Sequence, residues 1–241
     1  MSKSQVLSVE KNNRRVIDDA AFVIRSWNWK ETSLLVEFFT LKHGKVLAVA
    51  KGAKRPGSHF RGLLTEFSPL RIGYYGQNEV KTLSRAQWMG GFFNLEGEAI
   101  FSGFYLNELL VRLLPREDTF EGLFGSYVQT LKNLAQREAN HEVSLRTFEL
   151  DLLESLGYGL PDTGQDWYWD GEELKPCNER RVISERHILI EHAMIDRLRQ
   201  RDLRLKETQT FAKMLLREMI THYAGDKPLN TRRILQELRR V

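Results

Sequence analysis

The spacing of apolar positions along this chain changes once, at Gly90-Gly91. Before that point the apolar runs are short and rich in β-branched and aromatic residues. They cover residues 21–26, 33–40, 44–51, roughly 67–75 and 80–88, and are separated by turn-forming stretches such as Lys42-His43-Gly44 and Gly76-Gln77-Asn78. Five short strands this close together predict a small barrel. Residues 1–19 are polar, lack periodicity and read as a flexible leader.

After the two glycines the period becomes helical. Residues 98–114 carry Ile100, Phe101, Phe104, Leu106, Leu110 and Leu113 on one broad face, and Pro115 marks the end. Asp118 and Glu121 have capping-box spacing for a helix running through Phe124, Val128 and Leu131 to about Leu134. A third helix begins near Asn140 or Glu142, presents Leu145, Phe148, Leu152 and Leu156, and closes at Gly157. Residues 158–183 form a small inserted element, with residues 167–174 folding as a hairpin about Asp170-Gly171. Helices resume from Ser184, again over residues 207–223 with Phe211, Leu215 and Met219 on one stripe, and over residues 229–240 beyond Gly225. The expected fold class is α+β: a barrel domain over 20–90, then a helical domain over 91–157 and 184–241 interrupted by the insert.

Composition removes several classes. With 241 residues, 41% of them apolar, the chain can bury a sizeable core. It contains no apolar run of about 18 residues for a bilayer span, and its N-terminus lacks the apolar segment of a secretory signal, so a cytoplasmic protein is expected. The single cysteine, Cys177, excludes an internal disulfide and a cysteine-rich zinc site. Neither a phosphate-binding loop nor a GxGxxG turn is present. Asp162-Thr163-Gly164 lacks both the preceding apolar strand and the second copy that an aspartic-protease site requires. His187 and His192 lie five residues apart, about 140° around a helix, which is wrong for one metal ion. The pairs Glu117/Asp118 and Glu172/Glu173 read as solvated faces. No catalytic site assembles, and no cofactor is expected.

Charge points instead to binding. The net charge is +4, but residues 1–39 carry +1, 40–90 carry +7, 91–196 carry −11 and 197–241 carry +7. Two basic blocks flanking an acidic one suggest a polyanionic partner. The stretch 51–61, with two glycines and a proline, reads as an exposed flexible loop bearing Lys51, Lys54, Arg55 and Arg61, extended by Lys45, Lys81 and Arg85. A barrel of the OB type commonly binds single-stranded nucleic acid in this way, with Trp27, Trp29, Tyr74, Tyr75 and Trp88 serving either as core or as stacking faces for bases. The second block offers Arg197, Arg199, Arg201, Arg204, Lys206, Arg232, Arg233, Arg239 and Arg240. Six phosphates neutralised on one strand would give log K a slope of roughly −4 against log salt.

The segments Phe22-Val-Ile, Trp29-Lys-Glu-Thr-Ser-Leu34, Val49-Ala-Lys-Gly-Ala53, Glu79-Val-Lys-Thr-Leu83, Tyr105-Leu-Asn-Glu-Leu-Leu110, Phe148-Glu-Leu and Leu156-Gly-Tyr-Gly159, in this order, resemble the DNA repair protein family RecO. The resemblance implies an N-terminal OB-fold, a helical C-terminal domain and a nucleoid-associated bacterial protein without enzymatic activity. Such a protein binds single- and double-stranded DNA, anneals complementary strands without nucleotide, and works with RecR to load RecA onto strands coated by single-stranded-DNA-binding protein. The family also binds that protein's acidic, hydrophobic C-terminal tail on its helical domain. For this tail, Arg112, Lys132 and Arg146, near Leu109, Leu131 and Leu150, are candidates, with intrahelical pairing as their alternative role. Many relatives carry a four-cysteine zinc module after the Leu-Gly-Tyr-Gly segment; only Cys177 stands there in this chain, so zinc is not expected, and Trp167 and Trp169 are expected to hold the element together. Two other readings stay open at this point: an OB-fold protein of structured RNA, and an enzyme built from Asp162, Asp166, His187 and Glu191.

Overall fold

The computed structural model describes residues 15–91, 93–162, 164–177, 187–225, 228–231, 233 and 234. The chain divides into two compact units, residues 1–93 with 115–121, and residues 94–114 with 122–241.

In the first unit β1 (Arg15–Trp29), β2 (Ser33–Thr40), β3 (Gly44–Ala50), β4 (Pro69–Tyr75) and β5 (Val80–Trp88) close into a barrel in the order β1-β2-β3-β5-β4. Every pair is antiparallel except β3 with β5. This is the OB-fold order. The barrel closes through β1, whose first half pairs with β4 and whose second half pairs with β2. Irregularities in register at Val16/Asp19 and Val23/Arg25 supply the bends that closure needs. Gly73 lies at the first bend, where an added Cβ would stand 2.8 Å from the Ile17 carbonyl oxygen.

Residues 15–19, expected in the leader, are strand instead. Charges at Arg15, Asp18 and Asp19 interrupt the apolar alternation, yet backbone pairing with β4 continues. The buried Asp19 carboxylate accepts from the Lys42 backbone N–H at 3.2 Å and contacts His43 Nδ1 at 2.6 Å. The rest of the expected leader, residues 1–14, lies outside the described residues.

The barrel interior is filled by Val23, Val36, Phe38, Val46, Ala48, Leu70, Ile72 and Leu83, with Ala53, Phe60 and Leu64 entering from the β3–β4 segment. That segment is therefore an ordered plug, not the flexible loop its glycines suggest. Successive backbone bonds of the i to i−3 kind (Arg55 to Gly52, Ser58 to Arg55, Arg61 to Ser58, Leu63 to Phe60) wind it tightly while the three apolar side chains fill one end of the barrel.

The second unit holds α1 (Glu98–Leu113), α2 (Glu121–Leu134), α3 (His141–Ser155), β6 (Trp167–Trp169), β7 (Leu174–Pro176), β8 (Ile188–Ile190), α4 (His192–Arg199) and α5 (Lys206–Tyr223). Leu114 turns extended before Pro115 and ends α1. The Asn140 side chain caps α3 by accepting from Val143 N–H at 3.1 Å. α2 starts at Glu121, so Asp118 does not cap it; residues 115–121 belong with the barrel. The hairpin about Asp170-Gly171 forms as β6 and β7, its turn fixed by the Asp170 carboxylate accepting from the N–H groups of Glu172 and Glu173.

Residues 188–190, expected within a helix, pair with β6 as a third strand, in keeping with their Ile-Leu-Ile sequence. Ser184, the expected cap, lies outside the described residues. Trp169 is fully buried against His222 and Tyr223, and Tyr223 stacks on Tyr158 at 3.9 Å, so the insert packs by its aromatic rings. The helix expected over 229–240 is described only at its start, where residues 230, 231, 233 and 234 are helical.

Candidate nucleic-acid interface

Strand directions bring the C-terminal ends of β1, β3 and β5 to one end of the barrel, the end closed by the plug. The β1–β2 turn and the plug are joined there: Lys54 N–H donates to Thr32 O at 2.9 Å, and Gly52 N–H donates to Ser33 Oγ at 3.4 Å. Lys51, Lys54 and Arg55 are exposed on this fixed backbone and make no side-chain ion pair among the described residues. Arg61 is also exposed, its guanidinium donating to Pro56 O. Arg85, on β5, is exposed beside Gln87. Lys30 at the turn tip joins them; it is exposed and has a left-handed φ of 53°. Among the aromatic candidates, Tyr74 is core, Trp27 is half-buried under Arg25 (4.9 Å from guanidinium to ring), and Trp29, Tyr75 and Trp88 are exposed.

Two cations assigned to this surface from the sequence stand elsewhere. Lys45 is 6% exposed and Lys81 3%. Lys81 Nζ pairs with Glu117 at 2.7 Å and donates to Asn78 O at 2.9 Å. Burial pushes the Lys45 ammonium below its usual pKa despite the pull of Glu37. Residues 115–121 lie over this face: Glu117 N–H donates to Lys45 O, Thr119 Oγ1 donates to Lys42 O, and Arg116 pairs with Glu79 and Glu37. Lys45 and Lys81 are cations of the fold, withheld from any ligand.

Four of the cations expected in the second basic block pair with acids of their own unit. Arg199 pairs with Asp162, Arg201 with Asp151 and Glu154, Arg204 with Asp202, and Lys206 with Glu142. The hydrogen bond from Lys213 and the neighbouring charge of Lys206 hold the Glu142 carboxyl below the usual range. Arg204 holds Asp202 down at about 2. Arg233 is exposed, whereas Arg232, Arg239 and Arg240 lie outside the described residues.

The tail candidates divide as well. Arg146 pairs with the fully buried Glu149 at 2.6 Å. Arg112 pairs with Glu108 and donates to Pro228 O. Burial opposes the ionisation of Glu108, but the N–H groups of Thr231 and Asn230, with Arg112, outweigh it and lower the pKa. Only Lys132 is fully exposed. A separate feature of this unit is a shallow pocket of Leu150, Leu153, Leu160, Leu216 and Met219 with Arg199, Arg201 and Glu154 on its lining.

Comparison with known proteins decides the family. The model described as "Recombination protein O N terminal" matches residues 15–92, and "Recombination protein O C terminal" matches residues 95–233. The chain belongs to the RecO family. The DNA repair protein RecO of Nitrosospira multiformis is 38% identical over 248 residues, covering 98% of this chain and 100% of that protein. That of Aromatoleum aromaticum is 40% identical over 240 residues, covering 95% and 98%. RecO membership gives this chain a role in DNA repair and recombination.

Within the RecO framework three of the four residues of the open enzymatic reading have structural work. Asp162 pairs with Arg199, Asp166 caps α4 by accepting from His192 N–H at 2.8 Å, and His187 stacks on Tyr168. Among the described residues no group of three or more His, Cys, Asp or Glu is placed to hold a metal ion, and no helix is long and apolar enough to cross a membrane. Lys30 escaped the sequence reading because a lone lysine between two strands carries no pattern; its conformation marks it only once the backbone is known.

Proposed function

We propose that this RecO protein is a non-enzymatic recombination mediator of the bacterial cytoplasm and nucleoid, gripping DNA at the plugged end of its barrel. It binds single- and double-stranded DNA, anneals complementary strands without nucleotide, and with RecR helps load RecA onto strands coated by single-stranded-DNA-binding protein. The observation that carries this reading is the set of exposed Lys51, Lys54 and Arg55, without an ion pair among the described residues, on an ordered backbone. Annealing two polyanions requires their repulsion to be screened while the bases stay free to pair. Cations fixed at one end of a barrel, with aromatic faces nearby, meet both needs.

Lys54→Glu with Arg55→Glu is expected to weaken single-strand and duplex binding by tenfold or more at low salt. It should flatten the single-strand salt dependence by about 0.7 per lost phosphate contact and slow annealing of complementary oligonucleotides without ATP. Unchanged affinity and annealing in a folded variant would refute the grip.

For the acidic, hydrophobic tail of single-stranded-DNA-binding protein, the leucine-lined pocket beside Arg199 is a further candidate, because Arg199 and its partner Asp162 are both exposed and an incoming carboxylate can replace that pair, whereas Arg146 is buried with Glu149. Arg199 is the residue to test, since its partner Asp162 is itself exposed. Arg199→Glu should weaken binding of an acidic peptide ending in an apolar residue by about tenfold, with DNA affinity retained. Fluorescence anisotropy showing equal peptide affinity for both proteins would remove the pocket from the tail's path.

A further inference from the structure

We propose that the tip of the β1–β2 turn is the part of the interface that selects unpaired DNA: Lys30 takes a backbone phosphate and Trp29 stacks on the neighbouring base. The inference rests on the barrel end being the DNA grip.

The first observation is the backbone of Lys30. A left-handed conformation costs a residue with a Cβ about 1–2 kcal/mol, which glycine avoids and asparagine tolerates better. Among the described residues four non-glycine residues have positive φ: Lys30, Phe67, Glu117 and Arg201. Glu117 pairs with Lys81, Arg201 pairs with Asp151 and Glu154, and Phe67 is half-buried. Each of these three has contacts within the fold to offset the strain. Lys30 is exposed, and its ammonium has no partner among the described residues. A strained position holding a side chain the folded protein does not use is where a ligand contact is to be sought.

The second observation is where the tip sits. The bonds from Lys54 N–H to Thr32 O and from Gly52 N–H to Ser33 Oγ tie the turn to the plug, so Lys30 is presented next to Lys51, Lys54 and Arg55 on one fixed corner. It adds a fourth cation to that corner, where a strand's phosphate backbone would pass.

The third is Trp29. It closes β1 opposite Ser33 and leaves 45% of its surface in water, at the end of the barrel that carries the cations. Trp27, two residues back, already has Arg25 over its ring, whereas Trp29 has no partner ring or cation among the described residues. An indole beside a phosphate site offers a stacking face to an unpaired base. In a duplex the bases are stacked on one another, so Lys30 would still find a phosphate while Trp29 would find nothing to cover it. Discrimination between strand forms therefore falls to Trp29, and the charge of Lys30 fixes the strand beside it.

The test uses the full chain carrying Lys30→Asn or Trp29→Ser, a labelled single-stranded oligonucleotide and the same sequence as a duplex, over a salt series. Trp29→Ser is expected to weaken the single strand about tenfold, the usual loss of one stacked base, and the duplex by less than about twofold. Lys30→Asn should reduce the single-strand salt slope by about 0.7 with a melting temperature equal to or above that of the parent protein. Equal losses on both DNA forms, no loss on either, or an unchanged slope for Lys30→Asn overturns the proposal. The Lys54→Glu, Arg55→Glu variant separates the two levels: if it too binds normally, the grip reading has failed; if it is impaired while the tip variants are not, only the tip assignment has failed.

Discussion

Replacing Glu149 by leucine will destabilise the helical unit by about 3–5 kcal/mol, because it strands Arg146 as a buried, uncompensated charge. Glu149 on α3 is fully buried, and its Oε1 accepts from Arg146 at 2.6 Å and from the Tyr105 hydroxyl of α1 at 2.6 Å. The Arg146 side chain is only 9% exposed, so water cannot take over the lost partner. The double variant Arg146→Met, Glu149→Leu removes both charges and should recover most of the loss, leaving mainly the lost hydrogen bond from the Tyr105 hydroxyl to Glu149, about 1–3 kcal/mol. Urea unfolding of the single and double variants measures the difference directly. Equal destabilisation in the two would mean the pair is not coupled. The result also governs how Arg146 can be studied: an Arg146 charge reversal that abolishes peptide binding would report a broken α3 before it reported a lost contact.

The barrel and the main helices were legible because their signals are local. Short β-branched and aromatic runs separated by turn-forming stretches mark β2, β3 and β5, and four-residue stripes mark α1, α3 and α5. What escaped depends on partners distant in sequence. Residues 15–19 are strand because β4 supplies hydrogen bonds that their own charges do not advertise. Ile188-Leu-Ile190 is strand because β6 lies beside it.

Charge was the most misleading of the sequence signals. Summing along the chain makes residues 197–241 a basic block, but folding sets Arg199, Arg201 and Lys206 against acids from the block before them. With residues 1–39 at +1, 40–90 at +7 and 115–121 at −2, the barrel unit carries +6 of the total +4 and the helical unit −2. The excess positive charge thus belongs to the barrel unit. Within it, Lys45 and Lys81, near the starts of β3 and β5, lie under residues 115–121, a segment more than 30 residues away in sequence whose return to the barrel no local pattern announces.

That return depends on one position, and Gly44→Ala will expose the dependence by costing about 2–4 kcal/mol. Gly44 opens β3 with φ 61°, and a Cβ built there would lie 1.6 Å from the Asp118 carbonyl oxygen and 2.7 Å from its carbon, both backbone atoms that no rotamer change can move. Alanine therefore adds left-handed strain of about 1–2 kcal/mol and displaces residues 115–121. The displacement breaks the bond from Glu117 N–H to Lys45 O and the one from Thr119 Oγ1 to Lys42 O. It also opens the Lys81–Glu117 pair, whose lysine is 4% exposed at its side chain and would lose the carboxylate that compensates its burial. Gly52→Ala is the internal control. Its φ is 69°, but the added Cβ meets nothing closer than the flexible Arg55 side chain at 3.5 Å, so only the conformational strain applies. In thermal melts of the full chain the Gly44 variant should lose clearly more than the Gly52 variant, which should fall by only a few degrees. Matching losses would show that residues 115–121 yield to the added methyl group without cost, and that Lys81 does not depend on them for its charge balance.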